Sequence, residues 1–231
     1  MRKSLLFVLI ALLSIGAKAQ TPSDALLLLR KVNVKYAKVK DYSADVLINT
    51  RISFLKILPQ RAKVYFKTPD KFKVKAKGIA ILPKQNFDQL FRLIADEKSF
   101  MAFVSGTESI NQINVVMVNV IPTADTSDLV LAKIWIDPVR NLIIKSQLTT
   151  KSNGTVLIDY QYGSFAEFAL PDKMVFTVDV KKFKIPKAIA ADINTSSTPK
   201  PGAKEPKTGQ IIISFSKYLV NLGVADAYFK N

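Results

Sequence analysis

The sequence predicts a mainly β protein, a curved antiparallel sheet of nine to eleven strands with two helical segments on one face. Three observations carry this. Period-two alternation of apolar and polar residues recurs along most of the chain. Helical spacing occurs at two places only. And 231 residues, 48% hydrophobic with 8 glycines, fit one ordered domain better than two small ones or a disordered chain. A sheet of that size must curl, which leaves a concave apolar face that the two helices are the only elements available to cover.

The N-terminus reads Met1-Arg2-Lys3, an apolar run Leu5 to Leu13, then Ala17-Lys18-Ala19. Basic, apolar and small-residue regions in that order predict a secretory signal over residues 1–19, and the apolar run is too short to span a membrane. The mature chain is then a single domain over 20–231. Arg2, Lys3 and Lys18 leave with the signal and no acid does, so the formal charge falls from +16 to +13. There is no cysteine, hence no disulfide and no thiol for a lipid anchor.

Thr21-Pro22-Ser23-Asp24 starts the first helix, whose apolar surface takes Leu26 to Leu29, Val32, Val34 and Tyr36. Tyr42, Ala44, Val46 and Ile48 then alternate as a half-buried strand, and Ala62, Val64 and Phe66 repeat the pattern. Thr68-Pro69-Asp70 turns the chain into "KFKVKAKG", where Lys71, Lys73, Lys75 and Lys77 interleave with Phe72, Val74 and Ala76. Phe87, Leu90, Phe91 and Ile94 have the i, i+3, i+4, i+7 spacing of a second, amphipathic helix. Segments 100–104, 115–121 and 129–136 read as strands, the last two apolar on both faces and so expected to be covered on both sides. Asn153-Gly154 predicts a two-residue hairpin after the strand that ends at Thr149, with Val156, Ile158, Tyr160 and Tyr162 on the return. Met174, Phe176, Val178 and Val180 form another row, and Ile211, Ile213 and Phe215 the last. Residues 187–209, rich in Pro, Ser, Thr and Lys, predict a flexible loop between strands.

The chain has no histidine, so Ser-His-Asp and Cys-His catalysis are excluded, as are the usual zinc sites. There is no glycine-rich phosphate loop. Asp137, ahead of Pro138, reads as a turn residue rather than a catalytic acid, and Asp125 and Asp128 in "PTADTSD" as a turn rather than a calcium loop. The reading is therefore a protein that is not an enzyme and needs no cofactor or metal. The lysine stripe is not a nucleic-acid surface, because Phe72 points to the other face. It is expected to be a solvated outer surface that can also meet anionic lipid headgroups or an acidic partner.

Three segments in order, "AKVYFKTPDKF", "KIWIDPVRNLIIKSQLTT" and "FALPDKMVFTV", resemble the periplasmic carriers that sort lipoproteins to the outer membrane and their LolA-like relatives. The resemblance runs through most of the mature chain. It implies an incomplete β-barrel with a helical lid over an apolar cavity for acyl chains, in a periplasmic, monomeric protein whose partners are lipids or lipoproteins. In those carriers an arginine ahead of the second hairpin's proline holds the lid shut; here the matching residue is Thr68, which lacks the forked donors of a guanidinium. The expected cavity lining is Val46, Val64, Phe66, Phe72, Val74, Phe91, Trp135, Ile158, Met174 and Phe176, and the expected lid is Leu28, Phe87, Leu90 and Ile94. The competing expectation is a filled-core scaffold or sensor domain of the same fold that binds an envelope protein.

Overall fold

Ten strands form one antiparallel sheet in the order β3-β2-β1-β10-β9-β8-β7-β6-β5-β4. The computed structural model describes residues 22–52, 57–76, 87–152, 154–179 and 208–230. The strands are β1 Asp41–Arg51, β2 Gln60–Lys67, β3 Lys71–Ala76, β4 Phe100–Ile110, β5 Ile113–Pro122, β6 Leu129–Asp137, β7 Leu142–Thr150, β8 Gly154–Gln161, β9 Lys173–Asp179 and β10 Thr208–Val220. Two helices accompany them, α1 over Pro22–Tyr36 and α2 over Phe87–Ala95. The expected signal at 1–19, residues 187–207 of the expected loop and Lys77 lie outside the described residues, as does the side chain of Phe87. Residues 208 and 209, assigned to that loop from composition, begin β10.

Apart from β3 and β4, every strand has two partners, and β10 comes back to fill the place between β1 and β9. The apolar run Ile211, Ile212 and Ile213 suits that position, since all three are buried although they alternate between faces. β3 and β4 are the two edges, and α2 lies on the one connection that must cross from edge to edge.

The curl of the sheet follows from what α1 reaches. Tyr36 at its C-terminal end lies against Phe66 of β2, centroids 6.0 Å apart, while the same helix packs on β4. In a flat sheet β2 and β4 would stand about 38 Å apart at normal strand spacing. A 15-residue helix is only about 22 Å long. Both contacts require the sheet to wrap around the helix.

The face it wraps is continuous in register. Phe72 pairs with Phe66 and Phe66 with Tyr42; Val46 pairs with Phe215; Ile213 pairs with Met174; Phe176 pairs with Ile158. The helices supply the opposing layer. α1 buries Ala25, Leu29, Val32 and Tyr36, one helical stripe, and α2 buries Leu90, Phe91 and Ile94. Val34, expected on that stripe, is 63% exposed because the helical period turns it outward. Burying each of the large apolar side chains contributes about 1.5–3 kcal/mol.

Two local expectations change. Thr150 pairs with Gly154, so the β7–β8 turn has three residues rather than two, and Gly154 takes φ +72°, where a Cβ would be strained. β5 and β6, expected to be covered on both sides, carry a second layer on one side only among the described residues. On the outer side of β6 the Lys133 and Lys145 ammonium groups lie over the Trp135 ring.

Phe66 is fully enclosed, whereas its cross-strand neighbour Phe72 is half-buried near the edge. Phe66→Ala is expected to lower unfolding free energy by about 3–5 kcal/mol. Phe72→Ala should cost clearly less. Denaturant melting of the two variants beside the parent checks the difference.

Candidate functional site

On the concave side a pocket of about 330 Å³ opens between α2 and the sheet. Leu90 and Leu93 of α2 form its roof and Leu129, Leu148 and Thr150 its floor, while Arg92, Asp96, Ser99 and Ser127 complete the lining. α2 faces it because its apolar residues recur at three- and four-residue intervals, so one side turns to the sheet, while the exposed Arg92 stands at the pocket's open side. The volume is at the small end of the range for ligand sites, and its apolar roof and floor with polar groups alongside suit an aliphatic chain with a polar end.

The residues expected to line a cavity are placed as follows. Val46, Val64, Phe66, Phe91, Ile158, Met174 and Phe176 are buried, and Phe72 and Val74 half-buried. The sheet residues among them lie on the concave face, and Phe91 enters it from α2, its ring stacked on Tyr36 with centroids 4.2 Å apart. They form a packed apolar layer continuous with the pocket rather than its walls. Of the expected lid residues Leu90 roofs the pocket; Ile94 is buried beside it and Leu28 is half-buried on α1. Leu93, Leu129, Leu148 and Thr150 were not expected. Leu148 and Thr150 continue the inward alternation of β7, the signal that points to them.

Trp135 is a correction. It pairs with Met117 and Lys145, on the face opposite Ile134 and Ile158, so it lies on the convex side. There its Nε1 donates to Glu108 Oε2 at 2.7 Å, and the Lys133 and Lys145 ammonium groups sit 5.0 and 5.4 Å from its ring. The ring is buried under charged side chains.

The lysine stripe is partly engaged by the chain's own C-terminal turn. Asp226 accepts from Lys67 and Lys71 at 2.8 and 3.0 Å, and the hydrogen bonds of the two ammonium groups hold its carboxyl down to about 2. Tyr228 stacks on Tyr65 at 4.3 Å, and Lys75 lies over both rings. Lys73 is half-buried between Lys71 and Lys75.

Thr68 is exposed and its backbone N–H donates to the Lys40 carbonyl. An ionic tie to the helical layer is made elsewhere. Arg30 of α1 donates from Nε and Nη2 to the two carboxylate oxygens of Glu97, at 2.5 and 2.6 Å, in the short turn between α2 and β4. This fork-to-fork pair joins α1 to the root of α2, and the Arg30 hydrogen bond lowers the Glu97 carboxyl from its ordinary value.

The candidate acids have structural partners. Asp137 accepts from the Val139 and Arg140 amides at 2.9 and 3.0 Å and from Arg140 Nε at 2.6 Å. Burial works against its charge, yet the Arg140 side chain and the two amides hold it below the usual carboxylate range. Asp128 accepts from the Ser152 amide and hydroxyl and so ties two loops together. Among the described residues no three acids gather where a metal could be held.

Compared by sequence, the chain matches no family profile and no curated protein. Compared by structure, it is similar to a domain assigned to outer-membrane lipoprotein sorting in Vibrio parahaemolyticus, with TM-score 0.62 and 9% identity over 90% of this chain and 97% of that one. It is also similar to a LolA superfamily protein of Nitrosomonas europaea, with TM-score 0.59 and 11% identity over 90% and 97% of the two chains. A DUF1329 family protein of Desulfovibrio piger gives 0.55, 11%, 89% and 95%. The fold is LolA-like: an open ten-stranded antiparallel sheet with two short helices.

The Arg30–Glu97 pair gives a pH test. Glu97 has a lowered folded pKa, so its contribution is present above the ordinary value of 4.5 and is lost as pH falls through the folded value. The melting-temperature gap between the parent and Glu97→Gln is expected to be widest near neutrality and to close in acid. A gap independent of pH would contradict this.

Proposed function

We propose that this protein is a non-catalytic periplasmic carrier that holds the acyl chain of a lipid or lipoprotein beneath α2. The observation that carries the reading is the pocket, lined by four leucines with polar groups alongside, between an amphipathic helix and the concave face of the sheet. An exported location rests on the N-terminal pattern, and a sorting role on the likeness of fold. Transfer of about fifteen methylenes from water yields on the order of 12 kcal/mol gross, enough to hold a chain in a site of this kind. Release then requires an element that moves. α2 suits this, since it is nine residues long and lies on the connection between the sheet edges.

A second reading, a scaffold or sensor domain that binds an envelope protein, is favoured by one observation. The aromatic layer of Tyr36, Phe66 and Phe91 is closely packed, and the described pocket is small. The two separate in one experiment. Mass spectrometry of the gently purified protein should find co-purified lipid, and titration with a fluorescent fatty acid should saturate. Leu148→Trp, which places a ring in the pocket, is expected to weaken that uptake at least tenfold with the fold retained by circular dichroism. No bound lipid and no probe uptake by the parent would leave the scaffold reading.

A further inference from the structure

The convex face carries a second concavity, of about 600 Å³, on the back of β1, β2, β3 and β10. Arg61, Lys63, Lys75 and Lys217 stand around it with one acid, Asp45, and with Leu47 and Ser216. Lys75, Lys63, Asp45 and Ser216 are successive cross-strand partners, one row running over four strands. Lys63 directly opposite Lys75 places like charges together, an arrangement that works against the sheet.

The neighbouring pair shows what such an arrangement takes. Lys67 and Lys71 are also opposite one another, and the Asp226 carboxylate bridges them. At the Lys63–Lys75 pair Asp45, the only acid lining the groove among the described residues, lies 3.4 Å from Lys63 and 3.5 Å from Lys217 and is shared between them. Four cations against one acid leave room for further anionic oxygens. Lys217 reaches the groove from a β-bulge, where its φ is +51°, an uncommon conformation for a residue other than glycine. Bulges re-aim side chains, and this one brings a fourth cation to the row.

We propose that this groove is the docking surface for an anionic bilayer, with Arg61, Lys63, Lys75 and Lys217 on lipid headgroup phosphates. The groove suits a membrane better than a soluble polyanion because the same face exposes two leucines. Leu47, inside the groove, is 41% exposed, and Leu219, paired with Ser43 on the same side, is 52% exposed. Cations beside exposed apolar side chains match an interface where headgroups lie above acyl chains. The formal charge, +16 for the whole sequence and +13 without the expected signal, adds long-range attraction to such a surface. The inference stands apart from the proposed acyl-chain site, since the two lie on opposite faces of the sheet.

The test is flotation of the purified protein with phosphatidylcholine vesicles, with and without phosphatidylglycerol, at low and high salt. Binding is expected only with phosphatidylglycerol and is expected to weaken with salt. Arg61→Gln with Lys217→Asn, the asparagine being tolerant of the left-handed backbone, should reduce binding about 25-fold at about fivefold per cation. Lys31→Gln with Lys98→Gln removes the same charge from exposed positions on the helical side and should change binding little. Leu47→Ser with Leu219→Ser should weaken binding while leaving its salt dependence intact. Equal losses for the two charge variants would show attraction by net charge alone and overturn the site. No preference for phosphatidylglycerol would do the same. Full displacement by inorganic phosphate, but not by chloride of matched ionic strength, would assign the groove to a free anion rather than a membrane.

Discussion

The stack of Tyr36 on Phe91, with Phe66 beneath them, is the point on which the concave side depends. These three rings come from α1, α2 and β2, parts of the chain that hydrogen bonding alone would not bring together. Backbone hydrogen bonding does not by itself fix how tightly, or around what, a ten-stranded sheet curls. What makes it curl is an apolar face that must leave water and a short helix that touches both β2 and β4. Aromatic rings serve at this junction because they bury large area and tolerate tilted packing, here with an interplanar angle of 48° against Phe66 and 21° against Phe91.

That constraint divides the protein into two unlike surfaces. The concave side is closed by the two helices, with its pocket where α2 meets β6 and β7. The convex side near the other edge is held by charge and by the C-terminal turn, through Asp226 and Tyr228. A lipid-handling reading uses both: an apolar interior for chains and a cationic exterior for a membrane surface. Within the helical layer, the forked Arg30–Glu97 pair joins α1 to the turn that follows α2.

Much of the fold was legible because strand alternation is a local signal. Val64, Phe66, Val74, Ile158, Met174 and Phe176 declare their common face by parity, and the pairing register agrees. Trp135 was not legible. β6 is apolar on both faces, so parity there selects no side, and the lysines that shelter the ring come from Lys133 on its own strand and Lys145 across the ladder. The insertion of β10 between β1 and β9 is a long-range pairing with no local mark beyond its isoleucines. The pocket was the least legible feature. Its roof depends on how α2 docks, and its floor is built from Leu129, Leu148 and Thr150, whose meeting with that helix is tertiary. The basic groove was half legible, for the stripe showed Lys75, whereas Lys217 joins it only through the bulge.

The central claim is that α2 is the moving cover of an otherwise closed apolar face. Hydrogen–deuterium exchange across residues 87–95, with and without saturating fatty acid, tests it most directly. The account predicts that α2 amides in the free protein exchange faster than those of β7 to β9, and that fatty acid slows α2 while leaving those strands unchanged. Exchange of α2 as slow as the central strands, or unaltered by the fatty acid, would contradict it.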